Sequence, residues 1–441
     1  MQAIEIAKAT GGILFGDGTA EAVSISTDSR RIEKDALFIA IRGERFDGNA
    51  YIPAAFQSGA KIVIGNVDAE VPEGCAYIKT EDSILALGKV AAHHRRKFSI
   101  PLVGVTGSVG KTTTKEMIGA VLARGFNTLK TSGNFNNAIG LPLTVLSLGE
   151  DHEAAVIEMG MSARGEISYL TKIASPTYAV ITNIGLSHIE NLKTQENIRD
   201  AKLEITEGLS ESGILFVNGD DPFLKDASPE GVKVVRFGFD NPDCDVLGKV
   251  LSDNGFSVGG TMFTVPVGGK HNLYNGLAAY CIGKAAGLSD EEIGEGLLSY
   301  QPDGIRQSEK EIRKGVTVIC DYYNASPTSM RASLEMLSKG EAKRRIAVLG
   351  DMLELGDFSE PCHREVGETA AEFGADMVLG VGKFMRFTVS SAAEKGVKET
   401  KHFPDNASLS AYLIGILSEG DRVLIKGSHG MKMEEIFEKI R

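Results

Sequence analysis

The run IPLVGVTGSVGKTTTKEM, residues 100–117, decides how this chain folds. It opens with an apolar, β-prone segment (Leu102, Val103, Val105), passes through a turn holding Gly107 and Gly110, and enters a helix-like segment near Lys111. A strand, a glycine turn and a helix start together make an anion cradle. Glycine lets the backbone come close, successive N–H groups point inward, and the helix N-terminus adds about half a positive charge. In such a loop Lys111 would reach the outer phosphates of a nucleotide and the Thr112 hydroxyl could ligate Mg²⁺. Gly107, Ser108, Gly110 and Thr113 stand with them as candidate nucleotide contacts. The match is to the short form G-x-x-G-K-T; Val105 occupies the position where the longer Walker pattern has glycine. An ordinary strand-to-helix turn is the plainer alternative.

Working outward, 441 residues are enough for about three domains. Hydrophobic residues make up 42% and charged residues 24%, an ordinary globular balance. The net charge of −12 disfavours a bulk nucleic-acid or anionic-membrane surface. Five scattered cysteines, odd in number and without C-x-x-C, read as reduced structural thiols of a cytoplasmic protein. The N-terminal residues have neither a basic start nor a long apolar core, so no signal peptide is expected there. No stretch approaches 18 uninterrupted apolar residues, so no membrane span is expected.

The expected fold class is α/β in three domains. Residues 1–98 form a small α/β unit, residues 99–305 a central P-loop parallel sheet with helices on both faces, and residues 306–441 a C-terminal doubly wound unit. In the first, β-like runs at 23–26, 37–41 and 61–64 accompany helical segments at 50–58 and 83–97. The second helix ends in the cluster HHRRK (residues 93–97), which reads as a solvated helix end, with anion contact the alternative. Apolar runs at 102–105, 154–157, 178–182, 214–217 and 232–237 alternate with helix-like segments, the mark of a parallel sheet covered on both faces. A glycine-rich alternating stretch, 245–267, looks like an antiparallel appendage. Strand candidates at 316–320, 346–349, 377–381 and 422–425 repeat the βα rhythm to the end. Ser326 before Pro327 makes a good helix start.

Polar clusters fall where these strands should end, the usual place for ligands in open α/β sheets. The loop 131–137 contains Thr131, Asn134, Asn136 and Asn137, which turn chemistry alone would also explain. Glu158 closes an apolar strand beside the glycine turn and could hold Mg²⁺, or simply face solvent. His188 lies just past another strand; a lone histidine is commonly a satisfied surface or core residue. Lys202 flanks an apolar stripe of Ile198, Ala201, Ile205 and Leu209, where a snorkelling side chain with a buried stem is the plainer reading. Asn272 opens a helix and could meet an adenine edge or act as a cap. Arg306 could bridge phosphates, and Asp321, ending a buried-looking strand, could hydrogen-bond ribose hydroxyls. The runs at 351–356 and 426–430 follow third-domain strands as candidate substrate loops.

Taken together, TGSVGKTTTKEM, TSGNFNNAIGLPLT, IEMG, AKLEI, DYYNASPTSM, LGDMLELG and LIKGSHG resemble the ATP-dependent Mur ligases of peptidoglycan synthesis. TDSR and LFIAIRGERFDG extend the resemblance into the first hundred residues, so it covers essentially the whole chain. The runs LGDMLELG and YNASPTSM resemble the branch that joins D-alanyl-D-alanine to a UDP-N-acetylmuramoyl-tripeptide. The resemblance implies ATP-dependent amide ligation through an acyl phosphate, with the UDP end held by residues 1–98, ATP by 99–305 and the incoming amine by 306–441. It further implies that Lys111 and Thr112 handle phosphate and Mg²⁺, that Glu158 shares that metal, and that His188 and a carbamylated Lys202 hold a second one. Asn272, Arg306 and Asp321 would surround the nucleotide. Ser29, Arg30, Thr131, Asn134, Asn136 and Asn137 would face the UDP-sugar-peptide, and Tyr323, Asn324, Lys426 and Ser428 the dipeptide. Two residues depart from the family pattern: His429 stands where arginine is expected after KGS, and Ser326 replaces a more usual asparagine. A monomer with no nucleic-acid or membrane partner is expected. Folylpolyglutamate synthetases share the P-loop, but a UDP-binding unit of a hundred residues ahead of it would be superfluous there. A GTPase switch would carry N-K-x-D, and this chain has none.

Overall fold

Three sheets follow one another along the chain in the computed structural model, which describes residues 1–43, 46–302, 306–312 and 315–441. The limit expected at residue 305, and residues 44 and 45 of the run 37–48, lie outside the described residues.

The first sheet has five strands in the order Ile13–Gly16, Ala76–Lys79, Ala60–Gly65, Ala36–Ile39, Ser24–Ser26. All its pairs are parallel except that of Ile13–Gly16 with Ala76–Lys79. Its helix Ser83–Arg95 leads to the central sheet; Arg96 and Lys97 of the basic cluster are exposed, as a solvated helix end requires, but Arg95 differs from that expectation. Arg95 is buried and donates to the backbone carbonyls of Phe98, Ala174, Ile100 and Ser175 at 2.6–3.3 Å. It therefore ties the linker to the end of the helix Glu166–Ala174 instead of facing water or an anion. His94 is likewise engaged, its Nε2 lying 2.9 Å from the Leu148 carbonyl oxygen.

The central sheet has nine strands: Thr261–Thr264, Gly255–Val258, Val246–Ser252, Lys233–Gly238, Ile214–Asn218, Tyr178–Ile181, Leu102–Thr106, Ala154–Glu158, Thr128–Lys130. The strands Leu102–Thr106 and Ala154–Glu158 are buried at every position, as parallel strands covered on both faces must be. The expected appendage is present: Val246–Ser252 pairs parallel with Lys233–Gly238, and the next two strands then add antiparallel. Leu102–Thr106 sits between Ala154–Glu158 on one side and Tyr178–Ile181 on the other, so the chain leaves it toward Thr128–Lys130 and then crosses back over it from Ala154–Glu158 to Tyr178–Ile181. That reversal opens a crevice at the carboxyl ends of these strands.

The third sheet runs Ser308–Ile312, Val316–Cys320, Asp421–Lys426, Arg344–Gly350, Met377–Val381, Glu399–Phe403, parallel except for its first pair. Cys320 pairs with Ile425, which sets Asp321 and Lys426 side by side at the strand ends. Helices cover both faces. Helix Pro327–Ser338 begins with a capping box between Ser326 and Ser329, as the Ser-Pro start suggests. Buried side chains from the central and third sheets form one continuous apolar cluster, including Ile184, Ile189, Met352 and Leu355.

Candidate active site

Register places the site. Val105 pairs with Glu158 and Thr106 with Ile181, so the glycine turn, Glu158 and the segment after Ile181 emerge at one sheet edge. Gly107 has φ +151°, and a Cβ there would lie 1.9 Å from the Thr182 hydroxyl oxygen. Gly110 has φ +84°, and its Cβ would lie 2.8 Å from Asn275 Oδ1. Both glycines are thus required by close approach and by backbone conformation. The helix Lys111–Leu122 begins directly after Gly110, with the Lys111 ammonium folded back onto the Gly107 carbonyl oxygen at 2.8 Å. Burial pushes the Lys111 pKa below the ordinary lysine value; Glu158 opposes that shift and Arg306 adds to it.

Glu158 is the centre of the near wall. One carboxylate oxygen accepts the Thr112 hydroxyl at 2.8 Å and the other the Asn136 amide at 2.8 Å. Its backbone N–H donates to the Thr131 hydroxyl at 3.0 Å. Thr131 is buried below the cleft, and its carbonyl accepts from the buried Lys115 at 2.7 Å. Asn137 Oδ1 accepts the N–H groups of Ile139 and Gly140 in the turn that leads into the helix Gly140–Leu146, while Asn134 is exposed. A hydroxyl and a carboxylate 2.8 Å apart at a helix start suit a hard cation. Among the described residues no group of three or more His, Cys, Asp or Glu side chains is gathered for a metal.

The far wall comes from the third sheet. The Lys426 ammonium donates to Asp321 Oδ2 at 2.6 Å and to the Asn324 carbonyl at 3.0 Å, and Ser333 donates to the same Asp321 oxygen. The Arg306 guanidinium lies 3.8 Å over the Tyr323 ring, which in turn neighbours the exposed His429 at 5.8 Å between ring centroids. Asn272 is buried and donates to Gln307 and the Gly268 carbonyl, and His271 shares Gln307. Burial holds His271 below the ordinary histidine range, so its ring is a neutral hydrogen-bonding group near neutrality.

These walls enclose a cleft of roughly 370 Å³. It brings together Ser108, Gly110, Lys111, Thr112, Thr113, Asn136, Asn137, Glu158 and His188 with Asn272, Arg306, Asp321, Tyr323, Asn324 and Lys426. Asn275, Gln307, Glu166 and Ser329 also line it, and the sequence reading did not single them out. Asn275, Gln307 and Glu166 are single polar residues on a helix or turn with no motif to mark them, whereas Ser329 stands within the run DYYNASPTSM but has no chemistry of its own to single it out there. Gly107, Thr131, Asn134, Lys202 and Ser428 do not line the cleft. The Ser428 hydroxyl accepts the Leu353 N–H at 2.9 Å, steadying the loop after Gly350. Ser29 and Arg30 lie on the first sheet's loops, where the exposed Arg30 pairs with Asp28.

Lys202 is buried near the end of the helix Gln195–Leu203. Burial, and then the like charge of Lys111, drive its pKa well below the ordinary lysine value. His188 has φ +63°, and its Nδ1 lies 2.5 Å from Glu354 Oε2 of the third sheet's loop. That contact is the first cause holding the Glu354 carboxyl below its ordinary value, against a smaller effect of burial.

Comparison with known proteins accounts for the whole span. Residues 21–99 match the model of the Mur ligase family catalytic domain, residues 105–283 that of the Mur ligase middle domain, and residues 306–429 that of the Mur ligase glutamate ligase domain. The chain is 41% identical to the UDP-N-acetylmuramoyl-tripeptide–D-alanyl-D-alanine ligase of Bacillus subtilis, over 93% of this chain and 92% of that one. A crystal structure of MurF from Acinetobacter baumannii superposes with a TM-score of 0.88 at 32% identity, covering 100% of this chain and 98% of the other. MurF ligase from Thermotoga maritima in complex with ADP superposes with a TM-score of 0.83 at 30% identity, covering 96% and 97%. The chain belongs to the Mur ligase family.

Proposed function

We propose that this protein joins D-alanyl-D-alanine to a UDP-N-acetylmuramoyl-tripeptide at the expense of ATP, forming ADP and phosphate, in peptidoglycan precursor synthesis. The observation that carries the reading is the single cleft in which Lys111, Thr112 and Glu158 of the central sheet face Arg306, Asp321 and Lys426 of the third. The relatives' names supply the substrate pair.

A carboxylate is too poor an electrophile for an amine, so it must first be activated. The tripeptide carboxylate attacks the γ-phosphorus of ATP and ADP leaves. The free amine of the dipeptide then attacks the acyl phosphate, and phosphate departs from the tetrahedral intermediate. Both reactants of the first step are anionic. Lys111 and the N–H groups after Gly107 offset that repulsion and stabilise the transferring phosphoryl group. Mg²⁺, when bound, would add charge neutralisation; Thr112 and Glu158 fit it, and His188 with a carbamylated Lys202 would hold a second ion. Asn272, Arg306 and Asp321 would contact the nucleotide. Thr131, Asn134, Asn136 and Asn137, in the loop before the helix Gly140–Leu146 whose Leu143 and Leu146 pack on the first sheet's core, would face the UDP-sugar-peptide, with Ser29 and Arg30 meeting the UDP end. Tyr323, Asn324, Lys426 and Ser428 belong to the dipeptide side. Residues 1–98, 99–305 and 306–441 thus divide the work among UDP-linked substrate, ATP and amine. Water must be kept from the acyl phosphate, which suits a cleft closed between two sheets.

Both walls come from one chain, so a monomer suffices. The free cysteines fit a reducing compartment, and the cytoplasm supplies ATP and UDP-linked precursors. No described helix is long and apolar enough to cross a membrane. The test is ADP release with ATP, Mg²⁺, a UDP-muramoyl-tripeptide and D-Ala-D-Ala. Turnover is expected only when all four are present. Equal turnover with L-glutamate and a folate as the acceptor pair would overturn the reading.

A further inference from the structure

We propose that Glu354 is a positioning residue: it reaches from the third sheet's loop to fix the imidazole of His188, so that His188 presents Nε2 to the cleft only when the two units are docked. The inference rests on the ligase reading for its consequence in turnover, and on geometry alone for the contact itself.

The contact is built from both sides. Glu354 Oε2 lies 2.5 Å from His188 Nδ1, an ion-pair contact outside hydrogen-bond alignment, and among the described residues Nδ1 has no hydrogen-bond partner that competes with it; the Glu354 carbonyl accepts the Glu190 N–H at 3.1 Å. Both partners hold left-handed backbone, Glu354 at φ +62° and His188 at φ +63°. For residues with a Cβ that conformation is disfavoured and persists where the surroundings over-determine it. They do so here. On the loop, Met352 and Leu355 are buried on either side of Glu354. The Met352 N–H donates to the buried His363 at 3.1 Å and the Leu353 N–H to Ser428 at 2.9 Å. Gly356 follows with φ +52°, and a Cβ there would come within 3.2 Å of the Glu190 side chain. The loop is therefore shaped to lie on the short helix Ile189–Leu192 and to hand Glu354 to His188.

A carboxylate this close to one ring nitrogen favours the proton there by its charge and leaves the other nitrogen as the acceptor or ligand. Because the carboxylate and the imidazole come from different units, the orientation of His188 depends on how those units sit together. The loop read from sequence as a substrate loop then acts on the site through His188.

The test uses the full chain. Glu354→Gly removes the side chain while easing the left-handed backbone, so the loop should keep its shape. Glu354→Gln keeps the reach and an accepting oxygen. Proteins labelled with ¹⁵N-histidine are compared at about pH 8.5, where ordinary imidazoles are neutral, with the His188 signal assigned by its loss in His188→Gln. The wild type is expected to show His188 as one tautomer, protonated on Nδ1. Glu354→Gly should show mixed tautomers and a kcat about tenfold lower, with the KM for ATP within about twofold. Glu354→Gln should restore the single tautomer and part of kcat. Should Glu354→Gly fail to fold, Glu354→Asn, too short to reach and also tolerant of this backbone, decides in its place. A single Nδ1–H tautomer that survives loss of the side chain overturns the proposal, whatever the kcat. The tautomer is read without substrates, so failure of the ligase reading leaves this test intact.

Discussion

Two parts of the molecule bury a lysine to the same depth and treat it in opposite ways. Lys426, at the end of the third sheet's strand Asp421–Lys426, and Lys202, near the end of the central unit's helix Gln195–Leu203, are each 1% exposed. Lys426 is received by Asp321 at 2.6 Å and by the Asn324 carbonyl at 3.0 Å, so its charge is compensated where it sits. Lys202 meets burial and the like charge of Lys111, and its pKa falls well below the ordinary lysine value. A buried ammonium with a carboxylate partner organises structure; a buried amine pushed toward neutrality is available for chemistry. A neutral amine can add CO₂ to become a carbamate, a carboxylate-like anion on a long stem, whereas an ammonium has donors only and cannot ligate Mg²⁺.

The largest expected effect falls on Lys111, the charge that bears on Lys202. Lys111→Ala should lower turnover by about a thousandfold while its thermal melt stays close to wild type, since the side chain is half-buried at the cleft and fills no core. Near wild-type turnover would remove the glycine loop from the mechanism. Lys426→Met comes next. Removing one partner leaves Asp321 buried and uncompensated, at a cost of about 3–5 kcal/mol, to be read from denaturant midpoints. A midpoint unchanged from wild type would show that the pair does not organise the strand ends.

Lys202→Met should behave in the opposite sense on stability. A lysine whose pKa is lower in the folded state than unfolded costs stability below the unfolded value, because the unfolded chain binds the proton more readily. That cost should fade as pH rises toward about 10, the ordinary lysine range. In CO₂-depleted, metal-free buffer Lys202→Met should therefore melt no lower than wild type near neutrality, and its advantage should shrink with rising pH. A variant that melts well below wild type at neutrality would mean that Lys202 is held by partners after all.

How much of this was legible in sequence depends on where each signal is carried. Buried parallel strands show as unbroken apolar runs, so Leu102–Thr106, Ala154–Glu158 and Tyr178–Ile181 were readable, and with them the strand-end positions of Glu158 and Asp321. Three edge strands were not, although the edge strand Ser24–Ser26 falls within the expected run 23–26. Thr128–Lys130, Ser308–Ile312 and Glu399–Phe403 carry polar, part-exposed side chains and no such run. Arg95 was misread because a basic cluster looks solvated until the carbonyls that bury it are known, and those come from residues up to 80 positions away. Lys202 looked like a snorkelling side chain for a related reason: its helix shows the apolar stripe, but the nearness of Lys111 appears only in the fold. Glu354 stood inside a recognised run, yet its partner His188 lies on another sheet's loop.

The contrast between the two lysines is tested most directly by chemical rescue at Lys202. Turnover of Lys202→Ala with ATP, Mg²⁺, UDP-muramoyl-tripeptide and D-Ala-D-Ala should fall at least about tenfold, the scale on which loss of a group supporting metal binding is felt. Added formate or acetate should restore part of it, because a diffusible carboxylate can fill the place of the proposed carbamate. The same anions should do nothing for Lys426→Met, whose lost group is a cation. Full activity of Lys202→Ala without any added anion would contradict the account and return Lys202 to the role of a buried stem.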